Sequence, residues 1–114
     1  MRTKFYIPDV GYLLSEHFKV SEANNLIITH EVMDTIIKYE KHPKILEFLA
    51  NIPKMNVEVL KPSREKWIKN DEKNEIIFVA KSLDDKSTQM IVITTDARFA
   101  KRCIDENIDV DWRK

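Results

Sequence analysis

Apolar positions fall into two patterns along this chain, short continuous runs and longer stretches with apolar residues spaced three and four apart. Continuous runs suit strands buried on both faces, as in a parallel sheet, and the spaced pattern suits helices with one face toward a core. Met90-Ile-Val-Ile93 is the clearest run. It ends in Thr94-Thr95-Asp96, after which Ala97 onward has helical composition with apolar Phe99, Ala100 and Cys103. Lys4-Phe-Tyr-Ile-Pro8 is a second strand that runs into an aspartate, Asp9, with Pro8 closing it because proline lacks an amide donor. A brief helix follows through Val10, Tyr12, Leu13 and Leu14.

The rest of the chain keeps alternating. Asn24-Asn25 makes a turn before the strand Leu26-Ile-Ile28, and Thr29 or His30 opens a helix carrying Val32, Met33, Ile36 and Ile37. Lys41-His42-Pro43 breaks that helix, and Pro43 suits the first turn of the next, which carries Ile45, Leu46, Phe48 and Leu49. Asn56 to Leu60 alternates enough for a third strand. Pro62-Ser63 begins another helix, with Ser63 as its N-cap and Lys66-Trp67 inside. A longer helix runs from about Asp71 to Leu83, Asp84 to Gln89 is a polar loop, and a last strand lies around Ile108 to Val110. Strands alternating with helices predict right-handed crossovers and an α/β protein, a three-layer α/β/α sandwich around a central parallel sheet of about five strands.

Composition narrows the function. A chain of 114 residues holds one domain, 1–114. Basic and acidic residues number 19 each, so net charge says nothing about a nucleic-acid partner and only local clustering can. The single cysteine, Cys103, excludes an internal disulfide, suits a reducing cytoplasm, and is expected to pack in its helix. No apolar run approaches the length of a membrane span, and the N-terminus lacks a signal-peptide pattern, so no membrane partner is expected. The single glycine, Gly11, excludes glycine-rich phosphate loops and with them the conventional nucleotide-binding enzymes.

Chemistry concentrates at two strand ends. In open α/β sheets ligands bind outside the carboxyl ends of the strands, where Asp9 and Asp96 both sit. Their strands are neighbours in a doubly wound arrangement, so the two carboxylates can converge on a hard divalent cation, Mg²⁺ or Mn²⁺. Such ions activate water and stabilise the leaving oxygen of a phosphodiester. Each aspartate is equally suited to capping the helix that follows it.

Three stretches together resemble a known family. Lys4-Phe-Tyr-Ile-Pro-Asp-Val-Gly-Tyr-Leu-Leu14 resembles the opening strand and first aspartate of a PIN domain. Leu26-Ile-Ile-Thr-His-Glu-Val-Met33 is similar to that family's second strand and following helix, and Ile91-Val-Ile-Thr-Thr-Asp-Ala-Arg-Phe99 to its late strand, Thr-x-Asp signature and next helix. The resemblance is closest to PIN domains of the ribosome-assembly and PhoH-linked type. It implies a metal-dependent endoribonuclease with three or four acids at the carboxyl ends of a parallel sheet. Asp9 and Asp96 match the family's acids residue for residue. The second acid falls at Thr35, flanked by Asp34 and Glu31, and Asp34 serves only if the helix is rotated, since neighbours differ by about 100°. The third falls at Asn74 or Glu75, which makes Glu75, then Asp71, the candidates. Many members carry threonine or serine where this chain has Val10, while Thr94 matches the hydroxyl position before the last aspartate. The resemblance therefore implies catalytic Asp9, Asp96, Glu75 and Asp34, with Asp9, Asp96 and Glu75 as metal ligands.

Basic residues supply candidate substrate contacts. Lys38, Lys41, Lys44, Lys54, Lys61, Arg64, Lys66 and Lys69 face only four glutamates over the same stretch, and Arg98, Lys101 and Arg102 follow Asp96 directly. Thr94, Arg98, Lys101 and Arg102 are the expected RNA-binding set, phosphate contacts supplying most sequence-independent affinity. Trp67 or Tyr39 offers a stacking surface for an unpaired base, although Trp67 is better suited to the core. His17, His30 and His42 have no metal-like spacing with one another or with Cys103. Two readings remain open. One is a ribonuclease. The other is a catalytically degenerate PIN-like module that binds RNA or a protein partner, a second copy of itself included.

Overall fold

The computed structural model describes residues 1–61 and 71–114. Five strands, β1 (Thr3–Pro8), β2 (Leu26–Ile28), β3 (Val57–Val59), β4 (Thr88–Thr94) and β5 (Asp109–Trp112), form one sheet in the order β3-β2-β1-β4-β5. Every pairing is parallel. The helices are α1 (Val10–Leu14), α2 (His30–Ile37), α3 (Pro43–Asn51), α4 (Glu72–Leu83) and α5 (Ala97–Asp105), with short 3₁₀ turns at Val20–Glu22 and Ile52–Lys54. The chain moves outward from β1 to β2 and β3, then returns across the sheet to β4 and β5. Right-handed crossovers put helices from the two directions on opposite faces, giving the three-layer sandwich. The helix expected from Pro62-Ser63, with Lys66 and Trp67, lies outside the described residues.

Burial explains the strand patterns. Ile7, Ile28, Met90 and Val92 are buried in the middle of the sheet, and Leu13, Phe18, Val32, Ile36, Ile45, Phe48, Ile76 and Cys103 cover it. Phe18 packs edge-on against Tyr12 and Phe48, with ring centroids 5.5 and 5.2 Å apart. Pro8 is tolerated at the end of a central strand for a directional reason. The amide of Tyr6 donates toward β2, to Asn25, and that of Asp9 toward β4, to Ile93, so alternation turns residue 8 toward β2. The β1–β2 ladder pairs Tyr6 with Leu26 and stops before Pro8, which has no amide to donate toward β2, while the β1–β4 ladder continues past it.

Two boundaries differ from expectation. The Asp84–Gln89 loop is shorter, since Asp85 Oδ1 accepts from the Ser87 and Thr88 amides and Thr88 already pairs with Thr3. That side-chain turn supplies locally what a longer loop would leave to water. The last strand lies further on than Ile108–Val110, because Asn107 takes a left-handed conformation, φ 61°, after α5. Asparagine tolerates that region, and the chain straightens only beyond it.

The Tyr12–Phe18–Phe48 cluster should dominate stability on its side of the sheet. Phe18→Ala is expected to cost about 3–5 kcal/mol by urea unfolding, and Leu46→Ala on the solvent face less than about 0.5 kcal/mol; equal effects would mean the cluster is not packed as described.

Candidate acidic site at the carboxyl edge of the sheet

β1 and β4 are adjacent, and the chain leaves them in opposite directions. The crevice at their carboxyl ends is therefore the topological switch point of the sheet, the usual place for a ligand. Pro8 pairs with Ile93, so Asp9 and Thr94 emerge side by side. Gly11 lets α1 close against this edge, since a Cβ there would stand 3.1 Å from Thr95 Oγ1.

Asp9 is fully buried and fully engaged. Its Oδ1 accepts the Tyr12 amide at 2.8 Å, capping α1. Its Oδ2 accepts the Thr94 hydroxyl at 2.5 Å and the Lys73 ammonium at 2.8 Å. Thr94 Oγ1 in turn accepts the Asp96 amide at 3.0 Å, linking the ends of β1 and β4 through one hydroxyl. Lys73 also lies 3.5 Å from Glu72 Oε2 and 4.6 Å from the centroid of the Phe99 ring. Glu72 Oε2 accepts the Val10 amide at 3.1 Å. Burial opposes the Lys73 charge, but the hydrogen bond to Asp9 and the negative charges of Asp9, Glu72 and Asp96 outweigh it, so its pKa stands above the ordinary 10.5.

The expected acids are not gathered in one place. Asp96 is exposed and its Oδ1 caps α5, accepting the amides of Arg98 at 2.9 Å and Phe99 at 3.3 Å. Glu75 is 5% exposed and turns to α2, where its Oε1 accepts the Glu31 amide at 2.8 Å. Asp71 caps α4. Asp34 stands on the outer side of α2, 3.3 Å from His30 Nε2. His30, Glu31 and Asp34 are, among the described residues, the group of ligand-type side chains whose atoms approach within 4.8 Å of one another. At the positions where the resemblance leaves acids missing, Thr35 Oγ1 bonds back to the Glu31 carbonyl and Asn74 Oδ1 accepts from Arg102 at 2.5 Å.

The residues present do not fit a resident Mg²⁺ or Mn²⁺ on Asp9. Such an ion needs open carboxylate oxygens, whereas one oxygen of Asp9 faces an amide and the other already holds an ammonium and a hydroxyl. The same position thus carries a positive charge supplied by the chain itself.

No protein-family model matches the chain, and no curated protein matches it at a significant level.

Three features of this edge escape a reading by spacing alone. Lys73 had a visible signal, since a lysine in the first turn of a helix opposes the macrodipole and implies a carboxylate partner. Glu72 had none, because its role depends on where α4 meets α1. The His30-x-x-x-Asp34 pair has ordinary one-turn helical spacing that a search among histidines and cysteine passes over. Elsewhere, Cys103 is buried and burial pushes its thiol up to about 11, which makes it a packing group and not a nucleophile.

The candidate phosphate contacts divide by position. Arg98, Lys101 and Arg102 are exposed on α5, the helix that starts at the site. Lys101 pairs with Asp105 at 2.9 Å, and Arg102 approaches Glu106 at 3.7 Å. Lys38 and Tyr39 follow the far end of α2, which begins at the carboxyl edge and runs about 1.5 Å per residue away from it. Lys44 donates to the Ser15 carbonyl at 2.7 Å. Arg64, Lys66, Trp67 and Lys69 lie outside the described residues.

The Asp9–Lys73 pair should be strongly coupled. Lys73→Met is expected to cost about 3–5 kcal/mol, because it strands a buried carboxylate, and Asp9→Asn with Lys73→Met should recover more than half of it. A double variant no more stable than the single would show that the two side chains do not interact. Because the Lys73 pKa is raised on folding, its contribution is complete below about pH 10.5, the ordinary value, and lost as pH rises through the higher folded value. Urea midpoints measured from pH 9 to 12 should fall more steeply for the native protein than for the double variant.

Proposed function

We propose that this chain is a PIN-like domain that binds single-stranded RNA at the carboxyl edge of its sheet without cleaving it. The observation that carries this reading is the Lys73 ammonium 2.8 Å from Asp9 Oδ2. It satisfies the acid that the resemblance makes the main metal ligand, and it adds a cation to a crevice where that ligand would otherwise present only negative charge. The element order, the paired strand ends and the Thr94-Thr95-Asp96 signature support the PIN-like assignment. Arg98 and Arg102 on α5 stand beside the crevice as phosphate contacts, with Lys101 one turn along, and contacts of this kind give affinity without sequence preference. Thr94 is not a direct contact in this reading, because its hydroxyl is committed to Asp9; it positions Asp9 and, through the Asp96 amide, the start of α5.

A second reading is metal-dependent cleavage by the same edge. One observation favours it: the Lys73 side chain is 30% exposed, so an outward swing would uncover Asp9 Oδ2 and Glu72 Oε2, the two carboxylate oxygens its ammonium now faces at 2.8 and 3.5 Å.

Both readings can be tried on one preparation. Fluorescence anisotropy with a labelled single-stranded oligoribonucleotide should give an affinity that falls with salt. Arg98→Ala and Arg102→Ala should each weaken binding and reduce the log–log salt slope by roughly 0.7. Binding that is undetectable at low salt, or unchanged in both variants, would remove RNA as the ligand. Incubating the same oligoribonucleotide with Mn²⁺ should leave it intact; cleavage that disappears in Asp9→Asn and Asp96→Asn would establish the second reading instead.

A further inference from the structure

We propose that Lys73 is the permanent cation of this acidic edge, standing where a divalent ion would otherwise neutralise Asp9 and Glu72, and that removing its side chain converts the edge into a divalent-cation site. The inference rests on the geometry of the edge and not on RNA binding, so either can fail without the other.

Three observations bear on it. Lys73 Nζ lies 2.8 Å from Asp9 Oδ2 and 3.5 Å from Glu72 Oε2, and the charge of Asp96 reaches it as well. One ammonium therefore sits between carboxylates from the end of β1 and the start of α4, on two separate elements. Next, the position is anchored. The ammonium lies over the Phe99 ring at 4.6 Å, and Asp9 is held by Tyr12 and Thr94 on its other lone pairs. Finally, the lysine is on the second residue of α4, where the helix macrodipole disfavours positive charge. A cation kept there against the dipole is kept by the carboxylates.

The chemistry of exchange follows from size and charge. An ammonium is a compact point charge with donors in several directions, so it can satisfy oxygens from several elements as a metal ion does. It carries one charge where Mg²⁺ or Mn²⁺ carries two, and it is covalently tethered. The effective concentration of a tethered cation is far above that of free ions, so the native protein should not exchange it. Replacing Lys73 by alanine opens the space and leaves uncompensated carboxylates of the oxygen-donor type that hard cations prefer.

The test is calorimetric titration with Mn²⁺ alone, with thermal melts in the same solutions. Every protein carries Asp34→Ala, so that the His30–Glu31–Asp34 group does not contribute. The protein with Lys73 intact should take up no Mn²⁺ and show no Mn²⁺-dependent change in melting temperature. With Lys73→Ala added, Mn²⁺ should bind roughly tenfold or more tightly than to the Lys73 protein and raise the melting temperature with concentration. Lys73→Met, which removes the charge but fills the space, should bind more weakly than Lys73→Ala. Adding Asp9→Asn should abolish the gain. The proposal is overturned if the Lys73 protein binds Mn²⁺ in a manner lost with Asp9→Asn, if Lys73→Ala gains no binding, or if Lys73→Ala stays unfolded at every Mn²⁺ concentration.

Discussion

A buried aspartate with a lysine and a threonine hydroxyl on one oxygen is the interaction on which the carboxyl edge of this sheet depends. Asp9 is fully removed from water, and a carboxylate so placed is tolerated only when its lone pairs and its charge are matched. The matching groups come from three places: the Tyr12 amide one turn on, Thr94 at the end of the neighbouring strand, and Lys73 at the start of α4. Each contact also joins elements. Tyr12 fixes the entry of α1, Thr94 ties β1 to β4 and through the Asp96 amide to α5, and Lys73 docks α4 over the same point. The edge is therefore held by one ionised group whose partners lie far apart in the chain.

The remaining acids serve structural ends of the same kind. Glu75 and Glu72 supply backbone-amide partners at the first turns of α2 and α1, and Asp71 and Asp96 cap their own helices. Helix N-termini carry unpaired amides and a partial positive charge, so carboxylates are drawn to them. Several strand-end and helix-start acids thus satisfy amides, which spreads them over four helix starts. Lys73 then neutralises Asp9, the fully buried carboxylate at the crevice.

That division bears on activity. Fold and strand-end aspartates alone do not make a nuclease, since function resides in the site and not in the architecture that carries it. Here the architecture delivers a topological switch point between β1 and β4, while the side chains deliver a carboxylate–ammonium pair there and exposed arginines on the helix that follows. No helix among the described residues is long and apolar enough to cross a membrane.

Among the described residues, the element order, the parallel sheet and the two strand-end aspartates were legible in the amino-acid sequence, because they follow from local causes. Continuous apolar runs at Leu26–Ile28 and Met90–Ile93, proline at residue 8 and polar strand ends act over a few residues, and strand alternation with helices leaves a handful of parallel-sheet topologies. Capping roles for Asp9 and Asp96 were legible in this way too. Tertiary structure decided the partners. Whether the acid near α4 that reaches the site is Asp71, Glu72 or Glu75 depends on how that helix is rotated and where it crosses α1 and α2, which no spacing in the sequence encodes. The same rotation turned Glu75 to the Glu31 amide and brought Lys73 onto Asp9, so the sign of the charge that fills the crevice was set by packing and not by composition.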